Sequence, residues 1–136
     1  MDKQPVIVYV EDDMLSRKVM QMMLCKRLGL QHVTIFEDSS NVVDRVKTLD
    51  PKPDVVFLDI HMEPYSGLEL LQMLRELPQL AEVPIIAMTA SVMSEEVDQL
   101  RQAGFDGCIG KPIDSDTFPK HLDSILKGEK VWFITN

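Results

Sequence analysis

The 136-residue chain carries 14 Lys and Arg against 22 Asp and Glu, a formal net charge of −8. That balance excludes a nucleic-acid backbone or an anionic membrane as the main partner, since both demand a basic footprint. A content of 45% hydrophobic and 26% charged residues excludes a disordered chain, and two cysteines without a CxxC pair exclude a disulfide framework.

In chain order, Val6-Ile7-Val8-Tyr9-Val10 is a continuously apolar, β-branched run, the pattern of a strand buried on both faces. It matches neither a secretory signal nor an anchor, and no apolar stretch approaches the ~20 residues of a bilayer span, so the chain is expected in the cytoplasm. Leu15, Val19 and Met22 then step at helical spacing and predict the inner face of a first helix, with Cys25 and the Met20, Met22, Met23 stripe as packing and some Met surplus left for contact. A weaker strand covers His32 to Phe36, and a strong one Val55-Val56-Phe57-Leu58. Leu70, Leu74 and Leu77 mark the next helix face, Pro84 to Met88 the next strand, and Met93, Val97 and Leu100 the inner face of a helix over Val92 to Ala103. A short strand lies around Gly107-Cys108-Ile109. Phe118, Leu122 and Ile125 give the last helix its inner face, with Asp114 or Ser115 as its cap. Gly128 stops that helix, so residues 1–127 read as one domain and 128–136 as a short apolar tail. The tail holds the only Trp and is expected to pack, either back on its own domain or in a partner or homodimer contact.

Strand and helix alternate about five times, which predicts an α/β parallel sheet with helices on both faces, because parallel neighbours need crossover connections. Ligands of such sheets bind outside the carboxyl ends of the strands. Glu11, Asp12 and Asp13 follow the first strand there, Asp59 closes the third, Thr89 the fourth, and Lys111 follows the fifth. A strand-end acid alone is a helix cap or a solvated turn; four strand ends converging on one edge point to a site. Crowded carboxylates call for a hard cation, and Mg²⁺ takes oxygen ligands from one or two carboxylates together with phosphate. No soft-ligand cluster for zinc or copper is present in the sequence. An all-oxygen site with one Lys opposite suits a transferring phosphoryl group, with a carboxylate as the nucleophile.

The stretches VYVEDD, VVFLDIHMEPYSG, IIAMTA and GKPI, in this order and spacing, resemble the receiver domain of a two-component response regulator from about Pro5 to Leu126. The resemblance implies a flavodoxin-like, doubly wound five-stranded sheet of order 2-1-3-4-5, and a phosphoacceptor switch, free-standing or cut from a longer chain such as a hybrid kinase. It makes Asp59 the phosphoacceptor and Glu11 with Asp12 the pair that places Mg²⁺, with the His61 main-chain carbonyl as a further ligand. It makes Thr89 the switch hydroxyl, Lys111 the amine paired with the phosphoryl group, and Pro112 the residue after a cis peptide. Ala90 and Ser91 complete the switch segment, Ser91 also standing as a helix N-cap. The implied partner is a histidine kinase or histidine phosphotransfer protein. Two positions depart from the family pattern: Glu63 replaces a loop Pro and Cys108 replaces an aromatic residue three before the Lys. Cys108 reads as a buried filler before a redox sensor, and the His61 side chain as solvent-facing before a modulator of phosphoryl lifetime.

Two other classes remain open. A degenerate receiver serving only as a protein-binding module would draw on Glu63 and Cys108. An aspartyl-nucleophile phosphatase would share Asp59, Mg²⁺ and Lys111 but would want an acid where His61 stands. A nucleotide-binding flavodoxin-like protein lacks its Gly-rich loop after the first strand.

Overall fold

The computed structural model describes residues 4–91 and 93–132. Five parallel strands, β1 (Val6–Val10), β2 (His32–Phe36), β3 (Val55–Asp59), β4 (Ile85–Thr89) and β5 (Gly107–Gly110), form one sheet in the order β2-β1-β3-β4-β5. The apolar runs are buried on both faces because each strand alternates its side chains between two helix layers. Val8, Val10, Val56, Leu58, Ala87 and Cys108 face α2 (Val42–Lys47), α3 (Gly67–Arg75) and α4 (Ser94–Ala103). Ile7, Tyr9, Phe57, Met88 and Ile109 face α1 (Met14–Gln21) and α5 (Phe118–Leu126). The fold is therefore the doubly wound α/β sheet expected. Among the described residues no helix is long and apolar enough to cross a membrane.

Three local readings are corrected. Leu15, Val19 and Met22 are 70%, 41% and 58% exposed, whereas Met20, Met23 and Leu24 are buried against the sheet. The apolar arc of α1 is wider than one face, beside a polar side of Arg17, Lys18 and Gln21, so its spacing fits two stripes, and the one formed by Leu15, Val19 and Met22 stays in solvent. From Met22 to Arg27 the helix continues in a wider π-type winding. Met93 is the N-cap of α4 and lies exposed, while Val97 and Leu100 supply the inner face. Ser91 is not the cap of α4, which starts at Ser94; Val92 lies outside the described residues. Leu70, Leu74 and Leu77 of the α3 region, and Phe118, Leu122 and Ile125 of α5, are buried as their spacing predicts. Asp114 accepts hydrogen bonds from the Asp116 and Thr117 N–H groups just before α5, and Thr117 occupies the N-cap.

The tail folds back on its own chain. Val131 accepts a hydrogen bond from the Cys108 N–H at 2.8 Å, and Trp132 bridges to Cys108 in parallel on the free edge of β5. The remainder of the tail, 133–136, lies outside the described residues.

Candidate functional site

The carboxyl ends of β1, β3, β4 and β5 meet at one edge of the sheet. Glu11 extends the β1–β2 ladder by one bond, its N–H reaching the Phe36 carbonyl at 3.1 Å, which turns its side chain inward and leaves it fully buried. Asp12, one residue on, faces solvent. Asp13 caps α1, accepting from the Ser16 N–H at 2.8 Å, and these Ser16 bonds hold its carboxyl below the usual range. Asp13 thus belongs to the helix, and Asp12 to the pocket.

Asp59 ends β3 and is buried. Gly67 packs directly on its backbone: the Gly67 N–H bonds the Ile60 carbonyl at 2.9 Å, and any side chain at Gly67 would collide with the Asp59 carbonyl oxygen. The loop between is short and braced. Ser66 and Glu69 form a capping box at the start of α3, and the Ser39 hydroxyl donates to the Tyr65 carbonyl and accepts from the Tyr65 N–H.

One carboxylate oxygen from each of Glu11, Asp12 and Asp59 lies within 4.8 Å of the others. The Lys111 ammonium donates to Glu11 at 2.9 Å and to Asp59 at 2.8 Å. Lys111 sits there because its N–H continues the β4–β5 ladder onto the Thr89 carbonyl at 2.7 Å. The Lys111–Pro112 peptide is cis.

Burial, with the hydrogen bond to Glu11, pushes the Asp59 carboxyl up to about 7 against the pull of Lys111. Burial also works to raise Glu11, but its hydrogen bonds with Asp59, Lys111 and Tyr9 hold it below its ordinary value. Lys111 is raised, the two carboxylates outweighing its own burial. The pair is therefore set apart, with Glu11 the firm anion and Asp59 the one that titrates near neutrality.

Tyr9 escaped the sequence reading. Its hydroxyl donates to Glu11 at 2.7 Å, a contact signalled by the two-residue spacing that puts both on one face of β1. Arg17 also escaped it; its guanidinium donates to the Glu11 carbonyl at 2.9 Å and ties α1 to the site. Thr89 is buried, with its hydroxyl engaged by Ser91: it accepts from the Ser91 N–H at 3.1 Å and lies 3.2 Å from the Ser91 carbonyl. Ala90 is exposed between them. His61, also exposed, and Glu63 line one open hollow with Asp12 and Ser66. Cys108 is wholly buried, and burial pushes its thiol up to about 11, so it is apolar filler and no thiolate.

The donor set is all oxygen, hard and net negative, which fits Mg²⁺ and not zinc or copper. A buried carboxylate beside a second carboxylate and an ammonium can attack phosphorus while the ammonium meets the charge on the phosphoryl oxygens. The model of the response regulator receiver domain matches residues 7–123. The chain belongs to that family. Receiver domains are phosphoacceptor switches of two-component signalling, not generally classed as enzymes, and they interact with histidine kinases or phosphotransfer proteins.

The chain is 32% identical to "Stress response regulator protein 1" of Meyerozyma guilliermondii over 77% of its own length and 48% of that protein's. It thus spans about half of that relative. Among solved structures, the chemotaxis protein CheY4 of Vibrio cholerae superposes with a TM-score of 0.80 at 21% identity, covering 90% of this chain and 99% of that one, and shows the fold. The receiver domain of a sensor histidine kinase from Pseudomonas aeruginosa, solved with magnesium coordinated in its active-site cleft, superposes with a TM-score of 0.75 at 25% identity over 93% of this chain and 97% of that one.

Proposed function

We propose that Asp59 is the phosphoacceptor of this receiver, that Glu11 and Asp12 with the His61 main-chain carbonyl place Mg²⁺ beside it, and that Thr89 and Lys111 read and balance the phosphoryl charge. The observation that carries this reading is the pair of buried acids Asp59 and Glu11 joined by the half-buried Lys111, whose ammonium lies within 2.9 Å of both. An Asp59 oxygen attacks the phosphorus of a phosphohistidine, the P–N bond breaks, and the imidazole nitrogen leaves with the bonding pair. Bound Mg²⁺ supplies positive charge to the phosphoryl oxygens and favours the ionised acids. Lys111 shifts from a carboxylate to the new anion, and the Thr89 hydroxyl is drawn from Ser91 toward it. The chain catalyses only its own phosphoryl gain and loss.

The donor is a histidine kinase or histidine phosphotransfer protein of the cytoplasm. A surface suited to it lies beside the site, where Leu15 and Val19 of α1 and Pro112 and Ile113 line an apolar groove reaching Lys111. The exposed stripe that sequence spacing assigns to the core is thus available for the donor. Residues 1–127 act as the receiver unit, and 128–136 as its tail.

The test is intact mass after incubation with Mg²⁺ and acetyl phosphate. Wild type is expected to gain one phosphoryl group and Asp59→Asn none; equal labelling of both, or labelling of neither by acetyl phosphate and by a phosphohistidine donor, overturns the assignment. The adjacent acids separate in a second measurement. Asp12→Ala is expected to abolish Mg²⁺ binding in a magnesium titration with little change in thermal midpoint, because its side chain is exposed. Asp13→Ala is expected to lower the midpoint by a few degrees through loss of the α1 cap and to keep Mg²⁺ affinity.

A further inference from the structure

Gly107, the first residue of β5, leaves room for the tail: a Cβ there would lie 2.5 Å from the Val131 carbonyl oxygen. Into that room the tail lays a short parallel strand, fixed by the Cys108 N–H to Val131 bond of 2.8 Å and the Trp132 bridge to Cys108. Lys130 stands 3.9 Å from Asp106, just before β5. The Trp132 ring packs against the core cluster that holds Cys108 and Leu100, and the Arg101 guanidinium of α4 stacks over it at 4.7 Å. The tail therefore touches both β5, which delivers Lys111, and α4, whose approach begins at Ser91. Ser91 is in turn held by the Thr89 hydroxyl.

We propose that Val131–Trp132 is an internal latch that ties β5 to α4 in the resting arrangement and loosens when a phosphoryl group on Asp59 draws the Thr89 hydroxyl away from Ser91. The inference rests on Asp59 being the phosphoacceptor. The Thr89 hydroxyl cannot serve Ser91 and a phosphoryl oxygen with the same bonds, so modification frees the segment leading into α4. A shift of α4 carries Arg101 off the Trp132 ring, because the tail is held to β5 by backbone pairing and meets α4 only through that ring. What phosphorylation loosens must oppose phosphorylation by the same free energy, so the latch also lowers affinity for the phosphoryl group.

Trp132 is the only tryptophan in the chain, so its emission reports this one contact. The full chain with Mg²⁺ is titrated with beryllofluoride as phosphoryl mimic, bound fluoride being counted by fluorine NMR and Trp132 followed by emission maximum and acrylamide quenching. Bound fluoride is expected to bring a red-shifted, more readily quenched Trp132, and Asp59→Asn to show neither binding nor shift. Trp132→Ala, followed by fluorine NMR alone, is expected to bind beryllofluoride about two- to five-fold more tightly, the worth of one exposed cation–π contact. Arg101→Gln, at an exposed position that leaves the tail intact, is expected to move affinity in the same direction. A merely structural tail would leave affinity unchanged or weaken it. Fluoride bound with an unchanged Trp132 signal, or variants that bind no tighter than wild type, overturns the latch. Absence of bound fluoride in wild type overturns the phosphoacceptor reading on which it rests, and the latch with it.

Discussion

Asp59→Asn is expected to melt above wild type at pH 8 in a chelating buffer, although it removes a partner of Lys111. The ionised Asp59 is buried, and its carboxyl is pushed from 3.8 up to about 7, chiefly by burial and then by Glu11. An acid whose folded value lies above its unfolded one holds its proton longer in the folded state, so stability falls as pH rises between the two values. The penalty is absent below about pH 4, grows from there to about pH 7, and is complete at pH 8. At about 1.4 kcal/mol per unit it is on the order of 2–4 kcal/mol, or about 5–10 °C in thermal midpoint for a chain of this size. The neutral amide carries no such penalty. The gap between variant and wild type is therefore expected to be wide at pH 8 and to vanish near pH 4 in thermal melts. Saturating Mg²⁺ is expected to raise wild type and not the variant, since a ligand that binds only the folded state stabilises it by mass action. A gap that does not depend on pH would mean that the destabilising charge is not at Asp59.

How much of this was legible follows from which signals are local. Continuous apolar runs announced β1, β3 and β4, because strands covered on both faces have no polar side to show. The convergence of Glu11, Asp59, Thr89 and Lys111 was legible because parallel topology sends every strand end to one edge. α1 misled because its apolar arc is wider than one face: Leu15, Val19, Met20, Met22, Met23 and Leu24 flank a polar side of Arg17, Lys18 and Gln21, so spacing alone does not say which part of the arc is covered. Contacts set by tertiary approach left no mark in the sequence. Arg75 pairs with Asp106, which also receives the Ile85 N–H, across 31 positions in the first case and 21 in the second. Nothing near Gly107 announces that the tail will lie on it. The departure at Cys108 was visible, but its reason was not: the small buried side chain stands where the tail pairs with the sheet.

The second large effect is expected from Lys111→Met. The ammonium lies 2.9 Å from Glu11 and 2.8 Å from Asp59, with side chains only 17%, 0% and 5% exposed. Breaking a buried ion pair by removing one partner leaves charge without compensation and costs about 3–5 kcal/mol; here the loss is shared by two acids. At pH 8 without metal the variant is expected to melt about 10 °C or more below wild type. The loss is expected to shrink as pH falls toward 5, because the two acids, deprived of their cation, take up a proton at higher pH than before. Saturating Mg²⁺ is expected to return part of it, since two positive charges at the cluster replace the lost one; at a hundred times the dissociation constant the return is about 2.7 kcal/mol. Restored in this way, the variant separates two roles that share one side chain. If Lys111 only neutralises the acids, the Mg²⁺-loaded variant answers beryllofluoride with the same Trp132 emission change as wild type. If it also balances the phosphoryl anion, Mg²⁺ affinity persists while the emission response is lost. The second outcome is expected, because the ammonium already bonds an Asp59 carboxylate oxygen at 2.8 Å, and a phosphoryl group on that carboxylate would bring its charged oxygens within the ammonium's reach.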